Sequence, residues 1–558
     1  MSRVHLGGAY IWLPVGLMVF ALSANFSILN PQNIAWLDRG DMAAHFMGWH
    51  FFRQGDWNMP LGLNPAYGLE MGSSLVFSDS IPLLAILLKP FSERLPEYFQ
   101  YFGLWLLACL LLQAFFAQKL MTLLTADWLL QLPGVVLLTV SPIMLQRMSG
   151  HLSLTAHFFP LAALYLCLRV GTERRAIWWC LLLCCSASVH AYLLAMVLAI
   201  WVADVSGRCL QGEIEAPRAV FEMVCIAVLL TVVMWQVGYF TIGRGIVVNG
   251  YGYYRMNLFA PLDPMDWSQL LRSRIANGDY EGFSFPGLGV WLAVMFAVPA
   301  LLQQPLSQGR FPAARRNALL VVLIGLLLYA TSNKIGFAHF NIEIPLPASI
   351  IELANVFRAS GRMSWPVVYF CSVGAMWAVV RGYPRATAVP LLFVACLVQL
   401  VDAGAKLSDL RQLHAVSPSS RWTNELSDPF WSAAAKRYDK LRWLPTQNKS
   451  ESWKRLAMVA AKHGMATDAV YVSRPHPETQ ILKQQTGDLL GSQNWDEDTL
   501  YVMSLARGRR LASKVDISRH LIIEVDGLFV LAPAWQACEE CSWRDRAEFL
   551  SSARSVTR

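Results

Sequence analysis

The stretch Trp36-Leu37-Asp38-Arg39-Gly40-Asp41-Met42-Ala43-Ala44-His45 sets two carboxylates and an imidazole three and four residues apart. On a helix that spacing gathers Asp38, Asp41 and His45 on one face. Three uses are open to such a face. A carboxylate can take the proton of an attacking hydroxyl as a general base. Asp41 and His45 could instead hold a divalent cation, magnesium or manganese, since carboxylate oxygens suit these hard ions. Or the face is the solvated side of a helix lying on a membrane. Arg53, Asn64, Glu70 and Asp79 follow, with Trp57 and the turn-formers Pro60 and Pro65. Trp57 could stack on a sugar or act as an interfacial anchor. Asp79 could meet a substrate or cap the apolar run that it opens.

Three further groups of polar residues stand out. Arg147, His151, His157 and His190 lie at the ends of apolar runs, where ionisable groups are functional candidates by default. Asn249-Gly250-Tyr251-Gly252-Tyr253-Tyr254-Arg255-Met256-Asn257, and later Tyr280-Glu281-Gly282-Phe283, offer phenols, amides and charges suited to sugar hydroxyls or to a plain surface. Finally, Asn355-Val356-Phe357-Arg358-Ala359-Ser360-Gly361-Arg362 enters an apolar run. The guanidiniums of Arg358 and Arg362 fit phosphate oxygens, or they snorkel to lipid headgroups.

The elements that must position these residues are set by an unusual composition. Of 558 residues, 55% are hydrophobic and 15% charged, against about 25% charged in an ordinary soluble domain. A membrane crossing needs roughly 20 apolar residues. Such runs are expected near 8–28, 98–118, 130–146, 153–170, 176–190, 191–206, 219–240, 286–303, 317–333, 364–380 and 386–403. The chain therefore reads as a polytopic α-helical membrane protein with about eleven spans, and 81–91 is a shorter re-entrant or interfacial piece. The expected division is a membrane domain over 1–405, with a first outer loop at 29–97, and a soluble α/β domain over 406–558. In the tail, 428–441 and 452–463 read as amphipathic helices. The stretches 469–473, 499–504 and 520–531 read as strands, the last turning at Asp526-Gly527.

Charge sets the orientation. Lys119, Arg169, Arg174, Arg175, Arg208, Arg218, Arg310, Arg315, Arg316, Arg381 and Arg385 fall in short connectors, as expected of the cytoplasmic side. The long polar loops 29–97, 241–285 and 334–362 then face outward, with the N-terminus inside and the tail outside. The net charge of +8 is spread over connectors and not clustered as nucleic-acid binding would need. Most of the eleven cysteines lie inside apolar runs as small hydrophobes. Cys538 and Cys541 form a single C-x-x-C, which points to a local disulfide or free thiols and not to zinc.

An acidic first outer loop, bare inner connectors, outer-face arginines and an external tail resemble the GT-C superfamily of glycosyltransferases. A bacterial family of GT-C type looks similar over nearly the whole chain. The likeness is carried by Gly40-Asp41 through His45 to Trp49 with Phe52-Arg53, by Ser78-Asp79-Ser80-Ile81-Pro82-Leu83, and by Phe357-Arg358-Ala359-Ser360-Gly361-Arg362. The resemblance implies a GT-C-like bundle in a bacterial inner membrane. The donor would be a polyprenyl-phosphate sugar and the acceptor a lipid-linked molecule or polysaccharide of the cell envelope. By the same resemblance Asp41, more than Asp38, would be the catalytic base of an inverting transfer, and Arg358 and Arg362 the phosphate clamp. His45, Asp79, His151, Arg255 and Glu281 are the further substrate-binding candidates. Two other classes remain open: a transporter or flippase of a lipid-linked substrate, and a non-catalytic subunit of a polysaccharide export machine.

Overall fold

The computed structural model describes residues 10–535 apart from 170, 172–173, 243–249, 274–278, 304–311, 424 and 517. Asn249, Arg310, Cys538 and Cys541 lie outside the described residues. Among the described residues seven helices are long and apolar enough to cross a membrane: Phe102–Leu124, Trp128–Ser149, Ala191–Leu210, Ala216–Val237, Ala313–Thr331, Ser360–Gly382 and Arg385–His414. Of the about eleven expected spans, seven thus meet the length and hydropathy of a crossing. The helices on the other four predicted runs, Trp12–Ser23, Leu152–Leu168, Arg175–Ala187 and Leu288–Leu302, are apolar but shorter.

The chain divides into two compact units. The first comprises Met1–Trp36, Tyr101–Val233 and Val248–Pro418, and the second Leu37–Gln100, Met234–Val247 and Ser419–Arg558. The segment Leu37–Gln100 thus groups with the tail.

The first unit is the helical bundle. Its helix Trp128–Thr139 ends at Val140, ahead of Pro142, because proline cannot donate to the preceding turn. A break inside an apolar bundle frees carbonyls that need partners. Gln113 Nε2 donates to the Leu138 carbonyl at 3.0 Å, and Gln399 Nε2 to that of Val140 at 2.9 Å. The chain can therefore turn and carry Arg147 on one short 3₁₀ segment and His151 at the start of the next. A second polar knot is built on the buried carboxylate of Asp204, which accepts from Arg175 at 2.6 Å, Trp179 at 3.0 Å and Arg208 at 3.2 Å. Arg315 lies 3.8 Å from the same group and 3.3 Å from Glu213. Three connector arginines are therefore engaged in a buried network and are not only topological charges.

A two-stranded hairpin, β1 (Lys334–Phe337) and β2 (Phe340–Glu343), also belongs to this unit. The second unit carries a five-stranded sheet of β3 (Lys440–Trp443), β4 (Ala466–Thr467), β5 (Thr499–Met503), β6 (Leu521–Val525) and β7 (Leu528–Ala532), in the order β4-β3-β5-β7-β6. β3 runs parallel to β4 and β5, while β7 is antiparallel to β5 and β6. The β6–β7 turn falls on Asp526 and Gly527, both with positive φ, as a two-residue hairpin turn requires. Two expectations shift. The helix predicted over 428–441 stops at Ala435 so that β3 can form, and the strand expected at 469–473 is displaced to the short β4. The first loop extends this sheet: Tyr67 bridges Thr467 in parallel, with Gly68 N–H donating to the Thr467 carbonyl at 2.8 Å.

Candidate functional site

In the second unit the helix Gly40–Gln54 holds Asp41 in its first turn, where the helix dipole favours a carboxylate. Asp38 precedes this helix and does not share its face, which corrects the three-residue stripe read from the spacing. Its carboxylate accepts from Thr423 Oγ1 at 2.6 Å and from Lys454 Nζ at 2.8 Å, tying the loop to the tail. His45 is buried, with Nδ1 2.9 Å from the Ser78 carbonyl oxygen, and its own carbonyl accepts from Ser80 Oγ at 2.7 Å. Gly48 makes this approach feasible: a Cβ there would lie 2.1 Å from Ser78 Oγ. The segment Ser78-Asp79-Ser80 is therefore pinned to the helix one to two turns beyond Asp41.

Asp79 and Ile81 both have left-handed φ, and the short helix Pro82–Leu88 starts without a side-chain cap. Of the two readings open for Asp79, the N-cap is set aside, since Ile81 holds that position. Asp79 and Arg474 are both close enough to act electrostatically on the buried Tyr239, whose pKa burial raises first. Arg53 donates to the carbonyls of Ser92, Leu95, Pro96 and Glu97, so it closes the end of this loop. Glu70 accepts from Arg442 at 2.8 Å. Trp57 stays half-exposed with Lys89 Nζ 4.8 Å from its ring centre.

Among the described residues no group of three or more His, Cys, Asp or Glu side chains could hold a metal. An imidazole already engaged by a backbone carbonyl, beside one carboxylate, is also a poor donor set for magnesium or manganese. No step is derived through a cation.

In the first unit the centre is Glu281, buried on the 3₁₀ turn Asp279–Gly282. Arg362 grips it at 2.8 and 3.0 Å, Arg147 donates to it at 2.8 Å, and His151 Nε2 is 3.7 Å away. Burial disfavours the Glu281 charge, but the Arg362 and Arg147 guanidiniums outweigh that and hold its carboxyl well below the usual range. The Arg362 turn reaches Glu281 because two backbones meet at glycines. A Cβ on Gly361 would lie 2.4 Å from Gly282 Cα, and one on Gly282 would lie 2.1 Å from the Arg255 carbonyl oxygen.

Two guanidiniums thus share one carboxylate. Arg147 Nε and Nη2 find no hydrogen-bond partner among the described residues, although the cation sits 5.2 Å from the centre of the Trp365 ring. Arg358, four residues before Arg362, is half-buried and makes no hydrogen bond or ion pair among the described residues. Arg255, by contrast, is fully used: it bonds Asp279 at 3.2 Å and also reaches the Lys334 carbonyl and Asn341 Oδ1. It docks the β1–β2 hairpin, a job that chain separation hid. His157 Nδ1 lies 2.9 Å from Tyr369 Oη inside the bundle, and His190 caps the helix Ala191–Leu210 through the Tyr192 N–H. Asp204 and the pairing role of Arg147 were missed by sequence reasoning. A lone acidic residue within an apolar run was the available signal for Asp204.

Residues 13–404 match the family model described as a domain of unknown function, DUF6311, and 430–533 match the DUF6311 C-terminal domain. The chain belongs to the DUF6311 family. No curated protein matches it at a significant level. Among solved structures it is similar to the archaeal oligosaccharyltransferase AglB from Archaeoglobus fulgidus, solved with an inhibitory peptide and a dolichol-phosphate. The two share 10% identity at a TM-score of 0.46, over 96% of this chain and 75% of that one. An Archaeoglobus fulgidus oligosaccharyltransferase solved with zinc and sulfate is similar at 11% identity and a TM-score of 0.40, over 95% and 74%.

Proposed function

We propose that this DUF6311 chain is a GT-C-type membrane glycosyltransferase. It transfers a sugar from a polyprenyl-phosphate donor to an acceptor hydroxyl at the outer face of a bacterial inner membrane. The observation that carries the reading is the surplus of guanidinium at the end of the span Ser360–Gly382. Arg147 and Arg362 share the single carboxylate of Glu281, and Arg358 has no counter-charge among the described residues. A cationic surplus at the end of a span matches the depth of a lipid phosphate, and guanidinium forks match its oxygens.

In this reading Arg358 is the main phosphate ligand. Arg362, already clamped by Glu281, is a positioned second cation. The acceptor oxygen attacks the anomeric carbon as Asp41 takes its proton. The sugar–phosphate C–O bond breaks, and the phosphate leaves with the electron pair. Positive charge held at the phosphate stabilises that departure without reorganisation. Asp79 and His151 remain substrate-contact candidates. Asp38, Arg255 and Glu281 keep the structural partners described above.

The test is sugar transfer by the purified full-length protein from a radiolabelled polyprenyl-phosphate sugar. Asp41→Asn should abolish transfer. Arg358→Gln should lower it by about two to three orders of magnitude, the scale of losing one preorganised charge-stabilising group. Asp38→Asn, by contrast, should act on stability. Full transfer by the Asp41→Asn protein would overturn the base. Donor turnover insensitive to Arg358→Gln would overturn the phosphate site.

A further inference from the structure

The β1–β2 hairpin has two chemically opposite faces. In an antiparallel pair, residues directly opposite one another project to the same side. The register couples Ile335 with Ile342 and Phe337 with Phe340 on one face, and Lys334 with Glu343 and Gly336 with Asn341 on the other. The polar face is anchored at its middle, where Gly336 and Asn341 meet Arg255, while Lys334 and Glu343 at its end stay exposed. Lys334 pairs with Glu343 at 3.2 Å, Asn341 accepts from Arg255, and a Cβ on Gly336 would stand 2.9 Å from Arg255 Nη2. The turn is held as well, with the Ala338 N–H donating to Asn257 Oδ1 at 2.9 Å. On the apolar face Ile335 is half-buried, but Phe337, Phe340 and Ile342 are exposed, Phe340 at 77% and Ile342 at 67%. Water-facing loops do not display contiguous apolar surface of this kind without a partner.

We infer that the apolar face of this hairpin lies against the hydrocarbon edge of the bilayer, as an in-plane membrane contact next to the cationic turn. Three observations choose the bilayer over another occupant. The hairpin starts three residues after the candidate span Ala313–Thr331, and the next span begins at Ser360. Both flanks of the segment are therefore span ends. The short helix Ala348–Ala354 is tied back to the first span, since Tyr329 Oη donates to the Ala354 carbonyl at 2.6 Å. That bond holds the helix, with its exposed Ile350 and Leu353, at the level of the last turn of the span. Finally, the span itself exposes Val321, Ile324 and Leu328 at three- and four-residue spacing, the stripe that a lipid-facing helix presents. The stripe runs toward the end from which the hairpin emerges. The inference is independent of sugar transfer, because it rests on the faces of the hairpin and on the span ends that flank it.

The test uses the full-length protein in nanodiscs, with an environment-sensitive fluorescent amino acid in place of Phe340, of Ile342 or of Glu343. Lipids carrying a nitroxide on the acyl chain should extinguish the probes at 340 and 342, while aqueous iodide leaves them bright. At 343 the response should reverse. Quenching by iodide at 340 and 342 would place the face in water and overturn the inference. Probes there that neither agent reaches would mean protein coverage, by a second copy or another chain, and would overturn it as well.

Discussion

Glu281 accepts from Arg147 and twice from Arg362 with almost no water available to replace either cation. Breaking a buried pair by neutralising one member leaves charge uncompensated, at a cost of about 3–5 kcal/mol. Glu281→Gln should therefore lower the thermal unfolding temperature of the purified protein markedly, more than Arg358→Gln, whose side chain has no partner to strand among the described residues. The pH sign follows from the direction of the shift. A carboxyl held below its unfolded value contributes stability above the ordinary carboxylate range and loses it as pH falls through the folded value. The Glu281 contribution should thus persist to below about pH 4, and unfolding followed from pH 7 downward would check it. At this scale the residue types were readable from sequence: Glu281 and Arg362 were both singled out. Their pairing with each other was not, because 81 positions separate them, and no spacing rule reports a contact across that interval.

Glycines decide how closely the elements approach. At Gly361 a methyl group would meet the backbones of Gly282 and Arg255, and backbone cannot rotate aside as a side chain can. Overpacking of this kind costs roughly 1–3 kcal/mol. Gly361→Ala should give a stability loss at the upper end of that range. It should also weaken transfer by moving Arg362, measurable as parallel falls in melting temperature and activity. Elements with local signals were readable in advance. The apolar runs located every long span, and Asp526-Gly527 located the β6–β7 turn. The β1–β2 hairpin escaped notice because its polar face is completed by Arg255 and Asn257, residues far away in the chain. Asp38 misled for a related reason: its spacing fits a helical stripe, yet Thr423 and Lys454 hold it outside the helix.

For the molecule as a whole, the sequence reads as a membrane part followed by a soluble part, and the compact units group Leu37–Gln100 with the tail. The tail carries its own acid response. Asp468 is fully buried, and burial pushes its pKa up to about 6 against the pull of Arg442 and the bonds from Thr446 and Trp443. A carboxyl raised in the folded state contributes stability below its unfolded value near 4, and this is lost as pH rises through about 6. Asp468→Asn should not show that loss. The stability difference between wild type and variant should change by about 3 kcal/mol between pH 4 and 6.5 and stay flat above, as melts of the full-length protein across that range would show. The pairing of Tyr67 with the tail has a further consequence, in time. Tyr67 Oη donates to the Tyr471 carbonyl, 404 residues later in the chain, and Asp38 waits on Lys454. During synthesis, which proceeds from the N-terminus, the first loop leaves the ribosome long before the partners that complete it exist. A nascent chain stopped at any point before the tail would hold its candidate base on an unfinished surface, so competence would arrive only once the tail has been made.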